Sequence, residues 1–193
     1  MQFLTPEETI AKLGPSGFSI NDENGWYRRH LMLDPRGCAG QKRLGCRGPG
    51  AEFNTNVFAR ALIAWLNGNA PRLLWIDRWD RPFLGFTELF LAARLGLGEA
   101  RDLTVAPGHY VEAGPYQEWD HTQISPAQLS DINIMCSLIS LVHLGGWDGW
   151  LVAEGGTDRI EFWECYVYFH SSDPVRLADA EAIMTDYRCE RVK

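Results

Sequence analysis

The sequence predicts an α+β fold: a mainly antiparallel sheet packed against about five helices, with a central apolar helix near residues 126–143. Three observations carry this. Helix-start devices recur along the chain. Two runs of strand character, 149–153 and 159–170, are joined by the turn signal "EGGT" at 154–157. The order of elements reads helix then strand over 53–79, and helix, strand, turn, strand over 125–170, which suits an antiparallel sheet.

The first helix is announced by "TPEE": Thr5 as N-cap, Pro6 at the first helical position, where its missing N–H costs nothing, and Glu8 three after the cap. Gly14 supplies its stop. A strand is expected over 25–33, "GWYRRHLML". The segment 34–50, "DPRGCAGQKRLGCRGPG", carries five glycines among cations and reads as a solvated, mobile loop. A helix follows in "NVFARALIAWLNG", from Asn56 to a stop at Asn67-Gly68, and then a strand at 72–79. After Pro82 and Gly85, Leu89, Phe90, Ala93 and Leu97 share roughly one stripe and predict another helix. Residues 106–123 read as loop with one short strand.

"SPAQ" repeats the first device with Ser125, Pro126 and Gln128. Its helix runs to about His143, with Leu129, Ile132, Met135, Cys136, Ile139 and Val142 at helical spacing and Leu138 and Leu141 widening the stripe; Gly145-Gly146 ends it. The last helix starts at Asp173-Pro174. The chain reads as a single domain over 1–193, with residue 70 the candidate subdomain division and no linker composition to mark it.

Within "RIEFWECYVYFH" (159–170) the apolar residues change phase. Ile160 and Phe162 fall on even positions; Trp163, Cys165, Val167 and Phe169 fall on odd ones. A β-bulge or sharp bend explains the shift and sets Glu164, Tyr166, Tyr168 and His170 on one face. A tight turn between two short strands is the competing reading. A Tyr/His face on a sheet is either covered by a helix or used.

A net charge of −7 argues against a general DNA-binding surface, so no direct nucleic-acid binding is expected. The opening "MQFLTPEETIAKLG" lacks the basic n-region of a signal peptide, and no run is long and apolar enough to span a bilayer. An odd count of five cysteines then fits reduced thiols in a cytoplasm. Cys38 and Cys46 lack the second pair that a zinc site needs, and no H-E-x-x-H, G-x-S-x-G or phosphate-loop motif occurs, so no catalytic residue, metal or cofactor is assigned. His121 beside Asp120 reads as exposed, and His143 suits the last turn of its helix.

Two groups of side chains remain as candidates. Arg36, Lys42, Arg43 and Arg47 could bind an anion, which supports the alternative of a small enzyme acting on a phosphorylated or nucleotide substrate. Asp148, Asp158, Glu161, Glu164, Tyr166, Tyr168 and His170 could form a partner surface of aromatic anchors and acidic neighbours. On that reading, charge reversal at Asp148, Asp158 and Glu161 weakens a basic partner's grip.

The run "SPAQLSDINIMCSLISLVHLGGWDGWLVAEGGTDRIEFWECYVYFHSSDP" resembles the C-terminal part of certain small bacterial immunity proteins, which guard a cell against a toxin of the polymorphic or type VI secretion systems. In these an apolar helix leads into a "WD" strand, a hairpin, an aromatic strand and a final S-x-D turn. The resemblance covers about residues 125–173 and rests on that order together with "GWDGW" and "FHSSD". It implies a cytoplasmic, non-enzymatic protein that binds and neutralises a cognate toxin protein, and it transfers no site residue. An adaptor or chaperone for a secreted effector is the third expectation.

Overall fold

The computed structural model describes residues 2–4, 6–14, 17–21, 32–34, 40–50, 55–66, 70–76, 109–113 and 126–192. Ten strands and four helices lie among them. The strands are β1 (Gln2–Leu4), β2 (Ser19–Asn21), β3 (Met32–Asp34), β4 (Lys42–Arg47), β5 (Arg72–Ile76), β6 (His109–Ala113), β7 (Gly149–Ala153), β8 (Arg159–Trp163), β9 (Tyr166–Ser171) and β10 (Glu190–Arg191). The helices are α1 (Pro6–Leu13), α2 (Thr55–Trp65), α3 (Pro126–Gly145) and α4 (Pro174–Asp186). The helix expected near 86–98 lies outside the described residues, as do Thr5, Ser125 and most of the 25–33 segment.

Eight strands form one sheet in the order β1-β6-β5-β7-β8-β9-β4-β10, and β2 pairs with β3. Every described pairing is antiparallel, as expected of the α+β class.

The two ends of the sheet differ in how they are covered. β5 and β7 are buried at every position. Leu74, Ile76, Leu151 and Ala153 pack against α2 and α3, in a core that also takes Ile160, Phe162, Val167 and Phe169. On the opposite face, Leu73, Trp75, Trp150 and Val152 pack with Leu4, Leu13 of α1 and Phe18. Burial on both faces explains why these strands read as continuous apolar runs. β9 instead alternates between half-buried and buried, and among the described residues its second face carries no such layer of apolar side chains.

Residues 135–143 of α3 are all buried, a stretch enclosed on every side by the core, and its Ser137 and Ser140 hydroxyls donate to the Asn133 carbonyl and to Asn56 Oδ1 at 3.0 and 2.9 Å. Its C-terminus is closed by a Schellman motif. Gly146 sits at φ 65°, its N–H donates to the His143 carbonyl at 3.3 Å, and the Trp147 N–H donates to Val142 at 2.9 Å. α4 begins as expected, with the Asp173 carboxylate accepting from the Val175 N–H at 2.8 Å and Pro174 following. It ends in the same motif as α3, but with Arg188 at φ 52° in the glycine position. Buried Arg72 donates to the carbonyls of Ile63 and Ala70 at 3.1 and 2.7 Å, satisfying one acceptor in the last turn of α2 and one just before β5.

Two expectations are corrected. Residues 42–47 are not loop but a strand inside the sheet, paired with β9 along its length and with β10 at Cys46 and Arg47. Leu44 and Cys46 turn to the core, while Arg43, Gly45 and Arg47 take the other face. The phase change is not a bulge but the competing tight turn: Glu164 and Cys165, at φ 47° and 71°, form a two-residue hairpin turn with Trp163 opposite Tyr166. A turn of two residues carries the core face from even positions on β8 to odd positions on β9. Trp163 and Cys165 therefore leave the buried set, and Glu164 leaves the Tyr/His row.

No helix among the described residues is long and apolar enough to cross a membrane.

Candidate functional site

Register assembles the candidate site on the second face of β8, β9 and β4. Glu161 stands opposite Tyr168, Trp163 opposite Tyr166, and Arg159 opposite His170. From the other side, Arg43 stands opposite His170, Gly45 opposite Tyr168 and Arg47 opposite Tyr166.

At one end of the face His170 Nε2 lies 2.9 Å from Glu161 Oε2. A carboxylate only accepts, so Nε2 carries the proton and donates it. The Arg43 guanidinium reaches the same oxygen at 3.3 Å. Glu161 and His170 are largely shielded, their side chains 17% and 13% exposed, whereas that of Arg43 is 48% exposed. Arg43 also lies over the Tyr168 ring, 3.5 Å from its centroid, within cation–π range. Tyr168 in turn lies on Gly45, where any side chain would collide with the ring. This is the close approach that requires glycine inside a strand.

The aromatic row runs across the sheet from buried to exposed. The Phe18 and Trp150 rings meet edge to face at 5.6 Å, Trp150 lies 5.6 Å from the His170 ring, and the Tyr168 and Tyr166 rings are 6.3 Å apart. Trp163, across the ladder from Tyr166, is 42% exposed. The row ends in solvent.

Of the seven expected partner residues, the structure brings together Glu161, Tyr166, Tyr168 and His170. Asp158 is elsewhere: it pairs with Arg176 of α4 at 3.1 Å. Asp148 accepts the Glu164 N–H at 3.3 Å and so braces the turn, with Glu164 itself exposed. Of the four candidate anion ligands, Arg43 and Arg47 share the Tyr face. Lys42, one residue from Arg43, belongs to the opposite one, and Arg36 lies outside the described residues. The face therefore carries both signs of charge.

Sequence reading missed Trp163 and Arg43 as members of this site. Parity alone puts Trp163 in the buried phase, and the two residues between Trp163 and Tyr166 are the signal that reverses it. The glycines around Arg43 read as loop, although Leu44 and Cys46 alternate with it.

Comparison with protein-family models, with curated proteins and with solved structures finds no match for this chain.

Proposed function

We propose that this chain is a cytoplasmic immunity protein that binds and neutralises a cognate toxin protein, with the β8–β9–β4 face as its contact surface. The observation that supports the reading is the sheet face of Trp163, Tyr166, Tyr168 and Arg43, to which, among the described residues, the apolar layer over β5 and β7 does not extend. Tyr, Trp and Arg dominate binding energies because each buries a large area and keeps a polar handle. Here Tyr168 is held between Gly45 and the Arg43 guanidinium, so little of its rotamer freedom is left to lose on docking. Arg43 and Arg47 beside Glu161 suit a partner of mixed charge, and recognition then rests on aromatic area more than on net negative charge.

The test is neutralisation. The toxin captured on the immobilised chain is expressed in a naive host, alone and with this chain. Wild type restores growth, and Trp163→Ala/Tyr168→Ala, checked for an unchanged melting temperature, fails to. A captured protein that remains toxic when bound points to the adaptor reading. Capture of no toxic protein from the strain that encodes this chain refutes the proposal.

A second reading draws on the Arg43–Glu161–His170 contact. An imidazole oriented by a carboxylate beside a cation is an arrangement that serves acid–base chemistry on an anionic substrate. It predicts that inorganic phosphate or a nucleotide binds with a measurable heat that Arg43→Ala abolishes, whereas the toxin-binding reading predicts none.

A further inference from the structure

We propose that Cys46 and Cys189 form an oxidisable dithiol that closes into an intramolecular disulfide and fastens β10 to β4. This stands apart from the binding reading and rests on different residues.

The backbone places the two thiols together. Arg191 pairs with Cys46 and Glu190 with Arg47. Side chains alternate along a strand, so Cys189, two before Arg191, is the diagonal neighbour of Cys46 on the helix-covered face. Both sides of the contact are anchored. The Cys189 N–H donates to the Met184 carbonyl at 2.8 Å, and the Val192 N–H donates to Gly45 at 3.0 Å. Each thiol lies close enough to the other to alter its ionisation. Closing them brings the sulfurs to a bond of about 2.05 Å, and the movement this asks of the chain falls on β10, a strand of two residues at the sheet edge.

The thiols differ in a way that orders the chemistry. Cys46 is fully buried, whereas Cys189 is half-buried at the edge of the core. Donation from the Cys46 S–H favours ionisation of Cys189, while that same hydrogen bond and burial oppose ionisation of Cys46. Cys189 is therefore the thiolate that reacts with a peroxide. Its sulfur takes one peroxide oxygen to become a sulfenic acid, and the other oxygen leaves as hydroxide. Cys46 then attacks that sulfur, the S–O bond breaks, and water leaves as the disulfide forms. The other described cysteines are placed differently: Cys136 is buried on α3, and Cys165 lies in the β8–β9 turn.

The test treats the reduced full chain with one equivalent of hydrogen peroxide, blocks remaining thiols by alkylation, and digests with trypsin without reduction. The expected main product joins Leu44–Arg47 to Cys189–Arg191, and it is lost on adding dithiothreitol. The link spans about 140 residues, so the oxidised chain should melt about 10 °C higher, a rise that Cys189→Ser abolishes. Cys189 carried on to sulfinic or sulfonic acid with Cys46 still alkylated overturns the proposal. So does a bond from Cys189 to any other cysteine. If Cys189→Ser fails to fold, the wild-type peptide map decides alone.

Discussion

Replacing Glu164-Cys165 by Asn-Gly should stabilise the protein. Both residues sit at positive φ, 47° and 71°, where a side chain crowds its own backbone at a cost of about 1–2 kcal/mol each. Glycine at 165 removes that cost, and asparagine at 164 reduces it. Two losses oppose the gain: the half-buried Cys165 side chain, and the greater freedom of glycine in the unfolded chain, together about 1 kcal/mol. The bond to the Asp148 carboxylate comes from the backbone N–H of residue 164 and survives. The net expectation is a gain of about 1 kcal/mol, or roughly 2–4 °C for a chain of this size. Urea unfolding should show a higher midpoint at constant slope. A loss of 1 kcal/mol or more would refute the two-residue turn. It would mean instead a continuous bulged strand, in whose interior glycine is destabilising.

Arg188→Gly relieves the same kind of crowding at the end of α4, φ 52°, and should raise stability by about 1 kcal/mol in the same assay. Asp173→Ala removes the cap on the Val175 N–H and should lower it by about 1 kcal/mol. His143 is buried, with Nε2 donating to the Pro49 carbonyl at 2.9 Å, and burial holds its pKa below the ordinary histidine value. Between that lowered value and about 6.5 the unfolded chain binds the extra proton, so stability falls as pH drops below about 6.5. Urea midpoints at pH 7.5 and 5 should show the fall, and His143→Gln, which keeps a donor for Pro49, should flatten it.

What was legible in the sequence is what local chemistry decides. The apolar girth of α3, the run of β7, the glycine turn at 155 and the Asp173 cap each depend on neighbours a few residues away, and each was found. β4 was not. Its apolar signal is two residues, Leu44 and Cys46, interrupted by Gly45 and flanked by arginines. Gly45 is tolerable there because Tyr168, some hundred and twenty positions later in the chain, lies over it. No window along the sequence contains both. The β8–β9 turn was missed for a related reason. Its residues are Glu and Cys where Asn-Gly is the recognisable signal, and the register of Trp163 with Tyr166 overrides their local preference. The candidate site was accordingly half legible: the parity of Tyr166, Tyr168 and His170 is local, whereas Arg43 and Trp163 reach them only through strand pairing.

The uneven coverage of the sheet also bears on how such a chain can diversify. Val167, Phe169 and Ser171 are committed to the interior, and Tyr166, Tyr168 and His170 alternate with them on the same strand. Replacements at Tyr166 and Tyr168 draw little on the folding energy held by β5, β7 and α3, whereas His170 is held by Glu161 and lies against Trp150 of β7. The outer half of the sheet is thus free to drift toward new shapes and charges while the inner half keeps the scaffold intact. Gly45 is the exception, since its freedom to change is tied to whatever ring position 168 carries.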